Sequence, residues 1–210
     1  MPLPDPRPLL VATPVIPVLT IERTADAVPL ARALASGGLS VIEVTLRTAA
    51  ALEAMRAIAQ EVPDTVVGAG TVVREPDIEA AVQAGARYLV TPGTPATLVA
   101  ALTRAPVPVI PGCATVSEAM TLAERGFDVL KFFPAEAAGG VAWLKSVAGP
   151  MPALRFCPTG GIDAGNAEAY LALPSVVSVG GSWVAPRDAV AGGDFARITA
   201  LARAARALRA

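Results

Sequence analysis

Lys131 and Glu43 are the residues of this chain best suited to chemistry. The sequence has no histidine, and Lys131 and Lys145 are its only lysines. Lys131 sits inside the apolar run Phe127-Asp128-Val129-Leu130-Lys131-Phe132-Phe133-Pro134. An ammonium in such a strand loses hydration, which favours the neutral amine. A neutral amine attacks carbonyls and forms Schiff bases, so Lys131 is a candidate nucleophile. The plainer alternative is a strand-end lysine that carries its charge out to water. In Val41-Ile42-Glu43-Val44-Thr45-Leu46-Arg47 the side chains alternate between two faces. Ile42, Val44 and Leu46 form one apolar face, while Glu43, Thr45 and Arg47 share the other. A carboxylate on a buried face is costly unless it is paired. Glu43 is therefore read as a general acid/base tuned by burial and by a lysine opposite, with a Glu43–Arg47 ion pair as the structural alternative.

Glycine-rich segments supply the second kind of signal. Pro158-Thr159-Gly160-Gly161 and Val179-Gly180-Gly181-Ser182 are a matched pair, each after an apolar run. Glycine lets backbone N–H groups come close to an anion, so the pair is read as a phosphate cradle. Gly68-Ala69-Gly70-Thr71, Thr91-Pro92-Gly93 and Pro111-Gly112-Cys113 read first as turns, although Thr71 offers a hydroxyl to a ligand carboxylate. Pro92 and Phe133 are candidate walls of an apolar pocket, and Trp143 and Trp183 read as packing residues. An amine, a carboxylate, a forked arginine and a phosphate cradle together suit a phosphorylated keto acid. Lys131 would attack its ketone, and the protonated imine would draw electrons from a breaking carbon–carbon bond. That scheme needs neither a metal nor an organic cofactor.

The elements that must position these groups alternate along the whole chain. Candidate strands are Val15–Val18, Val41–Leu46, Val66–Ala69, Tyr88–Thr91, Val107–Ile110, Val129–Phe133, Leu154–Cys157 and Val176–Val179. Their starts are spaced by roughly 19 to 26 residues, the rhythm of strand–helix units. About eight such units predict a single α/β domain over residues 1–210, a closed (β/α)8 TIM barrel. In that fold the active site gathers at the carboxyl ends of the strands, and phosphate binds after the seventh and eighth. Helix punctuation fits the reading. Thr115-Val116-Ser117-Glu118 is a capping box closed by Gly126, Pro76 suits a first helical position, and Gly85 ends that helix. Asp163 is expected to cap a helix through Leu173. A last helix from Asp194 to Ala210 places Phe195, Ile198, Leu201 and Leu208 on one face and Arg203, Arg206 and Arg209 on a solvated one.

Composition excludes several functions. Hydrophobic residues make up 53% and charged ones 17%, which marks a well-buried globular chain. The net charge of −1 comes with scattered arginines, so no nucleic-acid footprint is expected. Pro14 and Pro17 interrupt the apolar stretch Leu9–Ile21, and Pro174 and Gly180-Gly181 interrupt Ala169–Pro186, so neither spans a membrane as one helix. A cytoplasmic location is expected. Cys113 and Cys157 are too few for a disulfide framework. With no histidine, most metal constellations and histidine triads are ruled out.

Taken in order, Glu43-Val44-Thr45-Leu46-Arg47, Gly68-Ala69-Gly70-Thr71, Lys131-Phe132-Phe133-Pro134-Ala135-Glu136, Phe156-Cys157-Pro158-Thr159-Gly160-Gly161-Ile162 and Gly180-Gly181-Ser182-Trp183 resemble the 2-keto-3-deoxy-6-phosphogluconate (KDPG) aldolase family. A related activity is 4-hydroxy-2-oxoglutarate (KHG) aldolase. The resemblance runs from about Pro14 to the C-terminus. It implies a class I aldolase on a (β/α)8 barrel, a homotrimer of the Entner–Doudoroff pathway that releases pyruvate and glyceraldehyde 3-phosphate. Lys131 matches the Schiff-base lysine, and Glu43 the proton shuttle working with water. Arg47 and Thr71 match the carboxylate site, and Thr159 a residue of stereochemical choice. Gly160, Gly161 and Ser182 match the phosphate site, with Gly181 beside them. Pro92 and Phe133 match the walls. A relative acting on the galactonate epimer lacks the Thr45-Leu46-Arg47 run, which favours the gluconate substrate. The rivals are a metal-free isomerase or epimerase, which needs a second acid–base group, and a non-catalytic phosphosugar-binding barrel that forms no covalent adduct.

Overall fold

Short apolar runs between alanine-rich segments become strands between helices. The computed structural model describes residues 3–209. After helix α1 (Arg7–Val11) come β1 (Val15–Leu19), α2 (Thr24–Ser36), β2 (Val41–Thr45), α3 (Ala51–Glu61), β3 (Val66–Gly70), α4 (Glu75–Gln83), β4 (Leu89–Val90) and α5 (Ala96–Leu102). The second half holds β5 (Val109–Ile110), β6 (Gly112–Cys113), α6 (Val116–Glu124), β7 (Val129–Phe132), α7 (Gly140–Ala148), β8 (Arg155–Pro158), α8 (Ala167–Leu171), β9 (Val179–Gly181), α9 (Arg187–Gly192) and α10 (Phe195–Arg206). Each expected strand region carries a strand or part of one, and all the strand pairings are parallel.

The expected closed eight-stranded barrel is corrected. The strands form a curled sheet of six, in the order β5-β4-β3-β2-β1-β9, and a separate sheet of three, β6-β7-β8. Proline explains one break. Pro111 lies between β5 and β6, and with no N–H it cannot continue the ladder. Its carbonyl instead accepts from the Lys131 N–H at 2.9 Å. So β5 stays with β4 while β6 pairs with β7. At the other break the isolated bridges Phe156↔Val176 and Thr159↔Gly180 join the sheets. There the expected strand Val176–Val179 has shifted to Val179–Gly181, since the Ser178 hydroxyl and the Val179 N–H both turn to the Pro14 carbonyl.

Alternation divides the core between the two faces of the strands. Ile42, Val44, Val67, Leu89, Leu130, Phe132 and Phe156 belong to the larger apolar cluster, with the helices. Ile16, Val41, Tyr88, Val90, Ile110, Val129 and Cys157 form a second cluster, which Leu10 of α1 joins. Fully burying one such large side chain contributes about 1.5–3 kcal/mol. Trp143 stacks on Phe132 at 4.2 Å and meets Phe156 edge-on, the packing role expected of it.

Helix ends follow the punctuation except at Pro76, at Asp163 and in the last helix, whose α-helical part ends at Arg206 and passes into a 3-10 turn over Ala207–Arg209. Thr115 and Glu118 cap α6 reciprocally, and Gly126 and Gly85 adopt the left-handed region after their helices. Pro76 falls second in α4. Asp163 caps a turn rather than a helix, because its carboxylate accepts from Gly165 and Asn166, and α8 begins only at Ala167. In α10 the Asp194 carboxylate accepts from the Arg197 N–H, Ile198 is buried, and Arg203 and Arg206 are exposed. Ala210 and the Arg209 side chain lie outside the described residues. Among the described residues no helix is long and apolar enough to cross a membrane.

Candidate active site

Glu43 and Lys131 meet across the two sheets. Glu43 follows Ile42 on β2, and Lys131 sits in β7 with Gly112 and Cys157 as its register partners. Lys131 Nζ donates to Glu43 Oε1 at 3.3 Å, and the two side chains are only 6% and 4% exposed. Gly70 makes that approach feasible. A Cβ there would stand 2.0 Å from Glu43 Oε1, so any other residue at 70 would displace the carboxylate. The alternative Glu43–Arg47 ion pair does not form. Arg47 instead donates through Nε to Thr71 Oγ1 at 3.2 Å. Thr71 holds a φ of 60°, a costly conformation for a β-branched residue, in line with the strain that collects at functional sites.

Two protonated groups surround the pair. The Tyr88 hydroxyl donates to the Ile42 carbonyl at 2.8 Å, and burial, then the charge of Glu43, pushes it well above its ordinary value. Burial likewise pushes the Cys157 thiol up to about 12, with Lys131 and Thr159 opposing and Glu43 adding to the rise. Tyr88 and Cys157 therefore keep their protons at ordinary pH.

A cleft of about 870 Å³ opens beside this pair. Of the candidate site residues, Arg47, Phe133, Thr159, Gly160, Gly161, Gly181 and Ser182 line it. Lys131, Glu43, Thr71 and Pro92 do not line it. The first two lie next to it, since Lys131 Nζ is 5.3 Å from the Phe133 ring centroid. Thr71 joins through Arg47, and Pro92 packs against Gly112, the register partner of Lys131. At the glycine turn Gly160 and Gly161 have φ values of 99° and 77°, a region that disfavours side chains. Among the described residues the backbone N–H groups of Gly160, Gly161 and Ser182 have no acceptor, so they remain free for an anion.

The cleft has further walls that sequence reasoning passed over. Thr20, Glu22, Arg23, Asp26 and Arg187 line it, and Trp183 does so besides packing against the core. Thr20 had a usable signal, because it directly follows β1 at the strand end where such sites form. The Arg187–Glu22 ion pair at 2.6 Å had none, since it joins residues from opposite ends of the chain.

An amine nucleophile beside a carboxylate, an arginine fork and a free N–H cradle fit carbonyl chemistry on an anionic substrate. Comparison with known proteins agrees. The family model for KDPG and KHG aldolase matches residues 8–201. A 2-dehydro-3-deoxy-phosphogluconate aldolase of Dickeya dadantii is 52% identical, over 94% of this chain and 92% of its own length. A KHG/KDPG aldolase of Escherichia coli is 50% identical over the same shares. The crystal structure of KDPG aldolase from Legionella pneumophila, with pyruvate captured as a covalent carbinolamine, superposes with a TM-score of 0.94 at 44% identity, covering 96% of this chain and 98% of that one. With this site, this fold and these relatives, the chain belongs to the KDPG and KHG aldolase family of carbon–carbon lyases.

Proposed function

We propose that this chain cleaves 2-dehydro-3-deoxy-6-phosphogluconate to pyruvate and glyceraldehyde 3-phosphate through an imine on Lys131. The observation that carries the reading is the buried Lys131–Glu43 contact at 3.3 Å beside the cleft. Lys131 first passes a proton to Glu43 within their ion pair, and its freed amine adds to the C2 ketone to give a carbinolamine. The carbinolamine hydroxyl takes that proton back from Glu43 and leaves as water, so that a protonated imine remains. Glu43, through a water molecule, takes the proton of the C4 hydroxyl, and the C3–C4 bond breaks. Its electron pair moves into the imine to leave an enamine, while C4 departs as the aldehyde carbon of glyceraldehyde 3-phosphate. Glu43 then returns a proton to C3, and hydrolysis of the protonated imine frees pyruvate and restores Lys131 as its ammonium.

Arg47 and Thr71 hold the substrate carboxylate in this reading, with Phe133 and Pro92 beside the reacting carbons. Thr159 selects the face of the aldehyde, and Gly160, Gly161, Gly181 and Ser182 bind the phosphate. The Thr45-Leu46-Arg47 run favours the gluconate over the galactonate epimer. The related substrate 4-hydroxy-2-oxoglutarate runs through the same steps, since it offers the same ketone and C4 hydroxyl, and the Escherichia coli relative is named for both activities. A homotrimer, a cytoplasmic location and a place in the Entner–Doudoroff pathway complete the proposal, on the strength of the family resemblance.

The direct test is mass spectrometry after incubation with pyruvate and borohydride, with the adduct mapped by digestion. A reduced pyruvyl group on Lys131 is expected. Its absence, where pyruvate demonstrably binds, would leave the non-catalytic binding reading in its place.

A further inference from the structure

The glycine turn that lines the cleft leans on a side-chain pair outside it. Glu136 follows β7 in the chain and is anchored there, because its N–H donates to the Gly160 carbonyl at 3.1 Å and the preceding Ala135 N–H to the Thr159 carbonyl at 2.8 Å. Its side chain lies against the turn, for a Cβ on Gly161 would stand 2.7 Å from Glu136 Cβ and Cγ. Glu136 Oε1 accepts a hydrogen bond from the hydroxyl of Tyr170, a fully buried residue of α8. The same oxygen lies 3.4 Å from where Gly140, the first residue of α7, would carry a Cβ, and a helix start favours a carboxylate. From the other side Asn166 Nδ2 donates to the Gly161 carbonyl at 3.0 Å, and its own Oδ1 is held by the Asp163 N–H.

We propose that Glu136 and Tyr170 are positioning residues that hold the Gly160-Gly161 turn with its N–H groups open to the substrate phosphate. The idea rests on the reading of that turn as the phosphate site. Without the phenol, the Glu136 carboxylate is free to rotate, and the surface on which Gly161 rests moves with it. A free carboxylate beside the turn would also repel a phosphate more strongly than one held back by the Tyr170 hydroxyl. Burial, then the Glu136 carboxylate as acceptor and charge, pushes the Tyr170 hydroxyl up, so it stays a donor at working pH. Neither residue touches the reacting carbons in this scheme, so the brace acts on phosphate affinity and leaves imine formation alone.

Tyr170→Phe keeps the buried ring and removes only the hydroxyl. Exposed Glu136 provides a second route through Glu136→Ala, which avoids any packing loss in the core. Three readouts separate the roles: affinity for inorganic phosphate by calorimetry, KM and kcat for the phosphorylated substrate, and the rate of borohydride-trapped pyruvate adduct. Loss of a hydrogen bond to a charged group is expected to weaken phosphate binding and raise KM by about tenfold. Adduct formation and kcat should stay within about twofold of wild type, a difference too small to count as a lost hydrogen bond. Glu136→Gln, which keeps an acceptor oxygen, should restore most of the phosphate affinity. Combining Tyr170→Phe with Glu136→Ala should cost no more than either alone. Unchanged phosphate affinity in both single variants would overturn the brace, as would an equal loss of phosphate binding and adduct formation. If the wild type formed no adduct but Tyr170→Phe still weakened phosphate binding, the brace would stand and the aldolase reading would fall.

Discussion

At the residue scale, the catalytic proposal depends on two opposite charges held almost without water. Lys131 and Glu43 are each buried, and each is the other's ion-pair partner. Removing one member of such a pair strands the other, which typically costs about 3–5 kcal/mol. Lys131→Ala is therefore expected to abolish the borohydride-trapped adduct and also to lower the melting temperature. Glu43→Gln should leave substrate binding mostly intact while slowing turnover by about 10²–10⁴-fold, the usual worth of general acid–base assistance. Normal turnover in that variant would demote Glu43 to a structural partner of Lys131. The cysteines give an independent check on burial. Burial pushes both Cys113 and Cys157 up to about 12. The native protein should resist iodoacetamide at pH 8, and both thiols should label once it is unfolded. Folding keeps these protons on above the free-thiol value of 9.0, so their contribution to stability is complete below that pH and is lost as pH rises towards 12.

Among the elements, α6 shows how a local signal becomes stability. Glu118 accepts from the N–H groups of Ala114 and Thr115, and Thr115 Oγ1 accepts from the Glu118 N–H. Thr115→Ala should cost about 1 kcal/mol in denaturant titration, the typical worth of an N-cap. The Ala114 N–H, ahead of the opposing effect of burial and helped by Thr115, holds the Glu118 carboxyl below its ordinary 4.5. A lowered carboxyl stabilises the fold above the unfolded value and loses that effect as pH falls through the folded one. The difference between wild type and Glu118→Gln should therefore shrink below pH 4.5. Local punctuation of this sort was legible because it lies within a few residues, as Gly126 and Gly85 also show. Asp163 was legible only as a cap, since whether α8 begins at once or after a turn depends on Asn166 and Gly161.

For the whole molecule, two sheets joined by isolated bridges replace the closed barrel, and contacts between strands far apart in sequence supply the site. We propose that residues 1–210 nonetheless act as one domain, so limited proteolysis should release no stable sub-fragment. The proposed homotrimer predicts a light-scattering mass of three times the 21.2 kDa chain. A mass of one chain at assay concentration would remove the trimer from the proposal.

Residue types and local order were enough to single out Lys131 and Glu43 as candidates, to find the strand–helix rhythm and to mark the glycine turns. All of these depend on identity or on periodicity over a few residues, which a linear chain displays directly. Partner choice was another matter. Glu43 had two candidates in the sequence, a lysine opposite and Arg47 on the same face, and the fold decided for Lys131, 88 positions distant. Arg47 went to Thr71, and Tyr170 to Glu136. Such contacts follow from how the two sheets and the helices come together around the site, and from the space that Gly70 leaves open. Pro111 was visible in the chain as a proline, but only three-dimensional pairing made it the point where one sheet ends and another begins.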